Sequence, residues 1–309
     1  ELVPIVVFLR PLGLRLALDY AVYLDTLEMG ALNRTRSESL RCGGKGINVS
    51  IVLCNLGMET EALGFLAGFT GQGIARWLEQ MAVPSDFIML PDGMSRINIK
   101  LKTGVETEIN GQGPDIPPQA LEALFDKLDR ISRGDTLVLA GSIPASLPVD
   151  IYERILSRLS GRGVRCVVDA SGPLLLNVLP YHPFLIKPNE AELSELCGVS
   201  LSAGDLPGIK ACAARLQEQG ARNVLVSLGP NGALLLTEEG KFLHQEAPDG
   251  TVCNSVGAGD SMVAGFLTGL HLTGSYREAL RMGTAAGSAT AFSDHLATRR
   301  EVEQLLNTL

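Results

Sequence analysis

The segment Asn254-Ser-Val-Gly-Ala-Gly-Asp-Ser-Met-Val-Ala-Gly-Phe266 carries the sharpest chemical signal in the chain. Gly257 and Gly259 allow a tight backbone turn, and an apolar helical segment, Ala258 to Leu272, begins within it. N–H groups exposed at a helix start form an anion site together with the helix dipole. Phosphoryl transfer needs such a site, because charge spreads over the oxygens of the group in flight. It also needs an acceptor for the proton of the attacking hydroxyl, and Asp260 follows the last glycine of the turn. A helix start stabilises a carboxylate as the anion, so Asp260 is expected to be ionised and able to take that proton. On this segment alone, Asp260 could equally be a residue that caps or charge-stabilises the helix and does no chemistry.

A second glycine turn, Gly43-Gly-Lys-Gly-Ile-Asn-Val-Ser50, offers Gly44 for close backbone approach, Lys45 as a cationic donor and Asn48 as a two-way amide. The helix expected from Ile47 to Leu56, stopped by Gly57, places Asn48 on its first turn. No G-x-x-x-x-G-K-[ST] occurs, so this is not a P-loop, and no G-x-G-x-x-G follows a first strand as in dinucleotide-binding enzymes. By itself the segment could be an ordinary turn.

Elements that would position these residues are readable from the hydrophobic pattern. Thr136–Ala140, Val164–Val168, Phe184–Ile186 and Asn223–Val226 are continuous apolar runs, as expected of strands buried on both faces of a parallel sheet. Amphipathic stretches of helical length lie between or beside them, at Pro118–Ile131, Pro148–Leu159 and Asp205–Gln219. The C-terminal third reads as helices over Ala258–Leu272, Tyr276–Phe292 and onward from Arg299. Alternating strand and helix imply an α/β sandwich with right-handed crossovers. Ligands in such sheets bind beyond the carboxyl ends of the strands. Those ends here carry Gly141-Ser142, Asp169-Ala-Ser171, Lys187-Pro-Asn189 and Ser227-Leu-Gly229, which suggests one extended groove.

Two regions break the rhythm. Leu18–Arg41 and Arg96–Asn110 read as strands and turns without helices, and Arg96-Ile-Asn-Ile-Lys-Leu-Lys102 alternates polar with apolar, as in a sheet with one wet face. Thr103-Gly104 then leads into Val105–Ile109, a hairpin. These pieces are expected either as a small separate sheet, a lid over one end of the core, or as edge strands of the main sheet. The run Val3–Leu9 is too short to span a membrane, lacks the flanks of a signal peptide and is expected as a first strand.

Composition narrows the class. A net charge of -8 and 5% aromatic residues disfavour a nucleic-acid binder, so any anionic substrate must be met by local positive groups. Six cysteines form no C-x-x-C pair and sit mostly in apolar runs, as expected of reduced core thiols in a cytoplasmic protein. The four histidines are scattered and receive no role.

Together the two glycine turns resemble the signatures of the ribokinase-like (PfkB) carbohydrate kinases, and the resemblance extends over nearly the whole chain. Gly43–Gly46 with Asn48 resembles the N-terminal signature and Asn254–Phe266 the more specific C-terminal one. Asn189-Glu-Ala-Glu192 resembles the family's N-x-x-E segment. The fold this implies is a single three-layer α/β sandwich over residues 1–309, with a mostly parallel sheet and a β-sheet lid at about 16–42 and 91–111, often used for homodimerisation. Asn33-Arg34, Gly43–Ser50, Thr107-Glu-Ile-Asn-Gly111 and Ser255–Phe266 are most similar to the hexose-phosphate kinases of that family.

The resemblance implies transfer of the γ-phosphate of ATP, with Mg²⁺, to a ketohexose phosphate. Fructose 1-phosphate, giving fructose 1,6-bisphosphate, is the leading substrate; tagatose 6-phosphate and fructose 6-phosphate are alternatives. A weakly catalytic sugar-phosphate or nucleotide sensor on the same fold is a more distant one. It further implies Asp260 as base and the turn Gly257-Ala258-Gly259-Asp260 as the anion hole. Asp19, Gly44, Lys45, Asn48, Asn110 and Ser142 would meet the sugar, and Arg96 and Lys100, or Lys45, its phosphate. Lys187, Asn189, Glu192, Ser227, Gly229 and Gly232 would line the ATP groove, Glu192 meeting the metal through water. One departure stands out: related enzymes read Asn-Pro-Ala-Leu-Asp where this chain has Arg15-Leu-Ala-Leu-Asp19, leaving Leu9-Arg10-Pro11 as a possible displaced remnant and the first strand's register open.

Overall fold

The computed structural model describes residues 8–105, 107–202 and 204–309. In chain order its strands are β1 (Leu9–Gly13), β2 (Ala17–Tyr23), β3 (Ser37–Gly43), β4 (Leu63–Ala67), β5 (Ile88–Leu90), β6 (Arg96–Lys102), β7 (Thr107–Asn110), β8 (Thr136–Ala140), β9 (Arg165–Asp169), β10 (Leu185–Ile186), β11 (Asn223–Ser227), β12 (Ala233–Leu236) and β13 (Phe242–Gln245). The helices are α1 (Lys45–Asn55), α2 (Gly68–Gln80), α3 (Pro118–Asp129), α4 (Ile151–Leu159), α5 (Pro173–Val178), α6 (Glu190–Cys197), α7 (Leu206–Glu218), α8 (Ala258–Thr273), α9 (Tyr276–Ala291) and α10 (Arg299–Leu306).

Among the described residues the main sheet runs β13-β12-β11-β10-β9-β8-β1-β4-β5, parallel except where β12 and β13 close one edge antiparallel. Alternate residues of each inner strand face opposite layers. Leu137 and Leu139 join the core under α3, α4, α5, α6 and α7, whereas Val138 and Ala140 join the core under α1, α8, α9 and α10. Burial on both faces explains why these strands read as unbroken apolar runs. The expected run Val3–Leu9 falls mostly outside the described residues, and the strand that follows it, β1, lies in mid-sheet between β4 and β8. Its ladder to β4 is interrupted at Arg10–Pro11, where proline has no N–H to give.

Helix boundaries follow local chemistry. Asn189 and Glu192 form a reciprocal capping box at the start of α6, and Gly198 ends it in the left-handed conformation. Asp205 caps α7 through its carboxylate, and Thr298 with Glu301 boxes the start of α10. The expected helix Pro148–Leu159 begins later, at Ile151, because Pro148 occupies a turn whose carbonyl accepts from the Ile151 N–H.

The two irregular regions form a separate four-stranded sheet, order β3-β2-β6-β7, in which β2 and β6 run parallel and both outer pairs antiparallel. The chain enters this lid by the bend at Leu14–Arg15, right after β1. In the main sheet β1 and β8 are neighbours although the chain leaves them in opposite directions, toward β4–β5 and toward β9–β13. That switch of direction opens a crevice at the strand ends, and the lid hangs over it.

Candidate active site

One groove of about 1420 Å³ is lined by Asp19, Gly44, Lys45, Asn48, Arg96, Lys100, Asn110, Ser142, Lys187, Asn189, Glu192, Ser227, Gly229, Gly232 and the turn Gly257–Asp260, whereas the strand-end residues Gly141 and Ser171 lie outside its lining. The lid supplies Asp19, Arg96, Lys100 and Asn110. The ends of β8, β10 and β11 supply Ser142, Lys187 and Ser227, and the starts of α1, α6 and α8 supply Lys45 with Asn48, Glu192 and Asp260.

Asp260 is 5% exposed and accepts a hydrogen bond from the Asn48 side-chain amide at 2.7 Å. Beside this pair lies Asp169, fully buried at the end of β9, whose Oδ1 faces Lys45 Nζ at 3.1 Å and Lys187 Nζ at 3.4 Å. Burial alone would raise Asp169, but the ammonium groups of Lys187 and Lys45 hold it below the ordinary carboxylate value. Burial, with the neighbouring Asp169 charge, pushes Asp260 up to about 7 against the pull of Lys45, the Asn48 hydrogen bond and Lys187. The helix start therefore does not hold Asp260 at the ordinary carboxylate value, and the carboxyl is only part-ionised near neutral pH. A helix dipole contributes about 0.3–1 kcal/mol at an exposed terminus, less than the loss of water costs a buried carboxylate. Two carboxylates driven apart in this way can play different roles, one a fixed charge and one a proton acceptor near neutrality.

Gly257 caps α8 with φ 82°, a left-handed conformation that a side chain would strain. The Ala258 N–H donates to the Ser255 carbonyl at 3.2 Å, so it is already engaged and the four-residue anion hole expected from the sequence is narrowed. The N–H groups of Gly257, Gly259 and Asp260 have no partner among the described residues. At the other end of the groove, Asp19 accepts from the Asn98 side-chain amide at 2.7 Å and faces Lys100 Nζ at 3.5 Å. A Cβ on Gly43 would come within 2.5 Å of the Asp19 carboxylate, so glycine there is what lets β3 pass. Lys100 also lies 3.7 Å from Glu108, which leaves it flanked by two carboxylates.

At α6, the capping box engages one Glu192 oxygen with the Asn189 N–H at 2.9 Å, and the side chain still lines the groove. No group of three or more His, Cys, Asp or Glu stands ready as a metal cage among the described residues. Magnesium keeps several waters and is held by one or two carboxylates plus substrate phosphates, so the residues present fit such an ion.

Sequence reading missed Arg15, Asn98, Glu108 and the α9 face of the groove, and it noted Asp169 as a strand end without assigning it to the site. Asn98 could have been found from strand pairing, since Asp19 and Asn98 are register partners on β2 and β6. The α9 face was signalled by small residues at helical spacing, Thr284, Gly287, Ser288 and Ala291. Arg15 had been read only as a missing asparagine.

Comparison with known proteins agrees with the geometry. The chain is 44% identical over 292 residues to 1-phosphofructokinase of Bacillus subtilis, covering 94% of each. It is 38% identical over 288 residues to D-tagatose-1-phosphate kinase of Bacillus licheniformis, covering 93% of this chain and 94% of that one. Its fold matches phosphofructokinase-2 of Escherichia coli, solved in complex with fructose-6-phosphate, with a TM-score of 0.90 and 28% identity over 98% of this chain and 99% of that chain. The sandwich with its lid is the ribokinase-like fold, matching ribokinase of Arabidopsis thaliana with a TM-score of 0.82 and 22% identity over 97% of this chain and 98% of that chain. No helix among the described residues is long and apolar enough to cross a membrane. Residues 16–300, which hold the lid, both glycine turns and the buried carboxylate pair, match the pattern of the pfkB family carbohydrate kinases, and the chain belongs to that family.

Proposed function

We propose that the groove transfers the γ-phosphoryl group of ATP to a free hydroxyl of fructose 1-phosphate, giving fructose 1,6-bisphosphate and ADP. The observation that carries this reading is Asp260, a buried carboxylate at the start of α8 held by the Asn48 amide at 2.7 Å beside the lysine-anchored Asp169. Burial pushes its carboxyl up to about 7, part-ionised at neutral pH and still basic enough to take a proton. The sugar hydroxyl oxygen attacks the γ-phosphorus as the bond to the β,γ-bridging oxygen breaks. The hydroxyl proton passes to Asp260, and ADP leaves. Asn48 holds the carboxylate toward the acceptor. The free N–H groups of Gly257, Gly259 and Asp260 face the charge on the transferring oxygens. Lys45 and Lys187, anchored by Asp169, supply fixed positive charge next to them.

Lys187, Asn189, Ser227, Gly229 and Gly232 line the nucleotide half of the groove, and the small residues of α9 leave room for a flat base. Glu192 would hold a Mg²⁺ through water, and the ion, when bound, neutralises phosphate charge. Asp19 and Asn110 would meet sugar hydroxyls, and Arg96 the sugar's own phosphate. Tagatose 1-phosphate is a second reading, favoured by the 38% identical relative of that activity. The test is ADP release with fructose 1-phosphate, tagatose 1-phosphate, tagatose 6-phosphate, fructose 6-phosphate, ribose and adenosine as acceptors. Preferred turnover of fructose 1-phosphate supports the proposal; turnover of none removes the kinase reading of this groove.

The lid also supports a homodimer. Across it run two rows on opposite faces, Arg41–Asp19–Asn98–Asn110 toward the groove and Leu40–Tyr20–Ile99–Ile109 away from it. The apolar row is left partly open, with Leu40 44% and Ile109 55% exposed. A second copy of the lid is the proposed cover.

A further inference from the structure

At the bend between β1 and the lid, two successive side chains part ways. Leu16 is buried in the apolar cluster shared by α1, α2 and the base of the lid, whereas Arg15 lines the groove. The hydrogen bonds of Arg15 among the described residues go to neutral oxygens and are long, 3.4 Å to Ser142 Oγ and 3.4 Å to the Gln112 carbonyl. Its Nε is buried without a hydrogen-bond partner. Arg96, at the start of β6, repeats the pattern with a buried, unpartnered Nε. Burial and then the charge of Arg15 lower the Arg96 guanidinium, opposed by Asp19 and Glu108. Those two carboxylates are themselves engaged, Asp19 by Asn98 and Lys100, and Glu108 by Lys100.

Two guanidinium groups that repel each other, each with a buried N–H unanswered by the protein, are a costly arrangement. A doubly charged anion between them would answer both, because guanidinium N–H groups match phosphate oxygens in pairs. We propose that Arg15 and Arg96 together cradle the phosphate that the acceptor sugar already carries, with the Ser142 hydroxyl at the cradle's edge, and that Arg15 sets the preference for a phosphorylated over a free sugar. This rests on the sugar-phosphate kinase reading and deepens it. The replacement of the usual asparagine at this position is then a gain of an anion contact.

The test compares wild type with Arg15→Ala and Arg15→Lys in steady-state kinetics, and in thermal melts with and without inorganic phosphate. For Arg15→Ala, KM for fructose 1-phosphate should rise roughly 10- to 100-fold, the size of a lost charge-assisted hydrogen bond. Inhibition by inorganic phosphate, competitive with the sugar phosphate, should weaken in parallel while KM for ATP stays within two-fold. Arg15→Lys, which keeps the charge without the fork, should recover part of the loss. Without phosphate the alanine variant should melt no lower than wild type, since a repulsion is relieved, and the rise in Tm that phosphate gives wild type should vanish. Unchanged KM and unchanged phosphate inhibition would overturn the cradle, as would a lower Tm with KM rising equally for both substrates, the mark of a merely structural arginine. If wild type fails to turn over fructose 1-phosphate, yet its phosphate-induced Tm rise is lost in Arg15→Ala, the cradle stands and the substrate reading falls.

Discussion

Asp169 and Asp260 share one pocket and one pair of lysines, yet their ionisation diverges. Asp169 takes both close ammonium contacts, and Asp260 receives an amide and the repulsion of its neighbour. This division could not be read from sequence, because it depends on which carboxylate the lysines reach. The strand-end rule points to Asp169 and Lys187, but not to how charge divides between Asp169 and Asp260. The consequence for stability has a definite sign. A carboxyl raised from 3.8 to about 7 favours the fold only while protonated. Its contribution is complete below the lower value and is lost as pH rises through the upper one. Asp260→Asn, which keeps the shape without the charge, should therefore melt several degrees above wild type on the alkaline side of the transition, the gap closing as pH falls toward 3.8. Thermal melts across pH check this; a difference that does not change with pH would contradict it.

At the scale of elements, the site is an assembly of ends. Helix starts at α1, α6 and α8 and strand ends at β8, β9, β10 and β11 converge on the crevice, and the sequence signalled most of them. Unbroken apolar runs marked the buried strands, and glycine or capping residues marked the helix starts. What could not be read was the course of the chain near Arg15. A proline inside a mid-sheet strand and a leucine in place of the usual proline gave conflicting local cues, resolved only by the pairing of β1 with β8. The α6 start carries two tasks at once, because the Asn189–Glu192 box both caps the helix and fixes Glu192 at the groove. Asn189→Ala should cost about 1 kcal/mol of stability and raise KM for ATP, leaving KM for the sugar phosphate nearly unchanged. Denaturant melts and a two-substrate kinetic grid measure both. An altered sugar KM with normal ATP KM would show that α6 serves the other half of the groove.

For the whole molecule, an acidic chain of net charge -8 concentrates cations in one crevice, as the proposed reaction of two phosphorylated substrates requires. Arg15, Lys45, Arg96, Lys100 and Lys187 all line it. Alternating polarity marked the lid strands as having one wet face, but that they form a separate sheet with an apolar outer row emerges only from the strand pairing. If a second lid covers that row, Ile109→Lys should sediment as a monomer at concentrations where wild type is a dimer. A monomeric wild type would refute the lid interface. The central claim, that this chain is a sugar-phosphate kinase using Asp260 as its base, is tested most directly by kcat/KM for fructose 1-phosphate as a function of pH in wild type and Asp260→Asn. Wild type should gain about tenfold per pH unit in the acid limb and level off above about 7, because the free enzyme's base must be ionised. The variant should lose that limb and fall roughly 10²- to 10⁴-fold in rate while still binding ATP. A variant with near-normal turnover and the same acid limb would contradict the account.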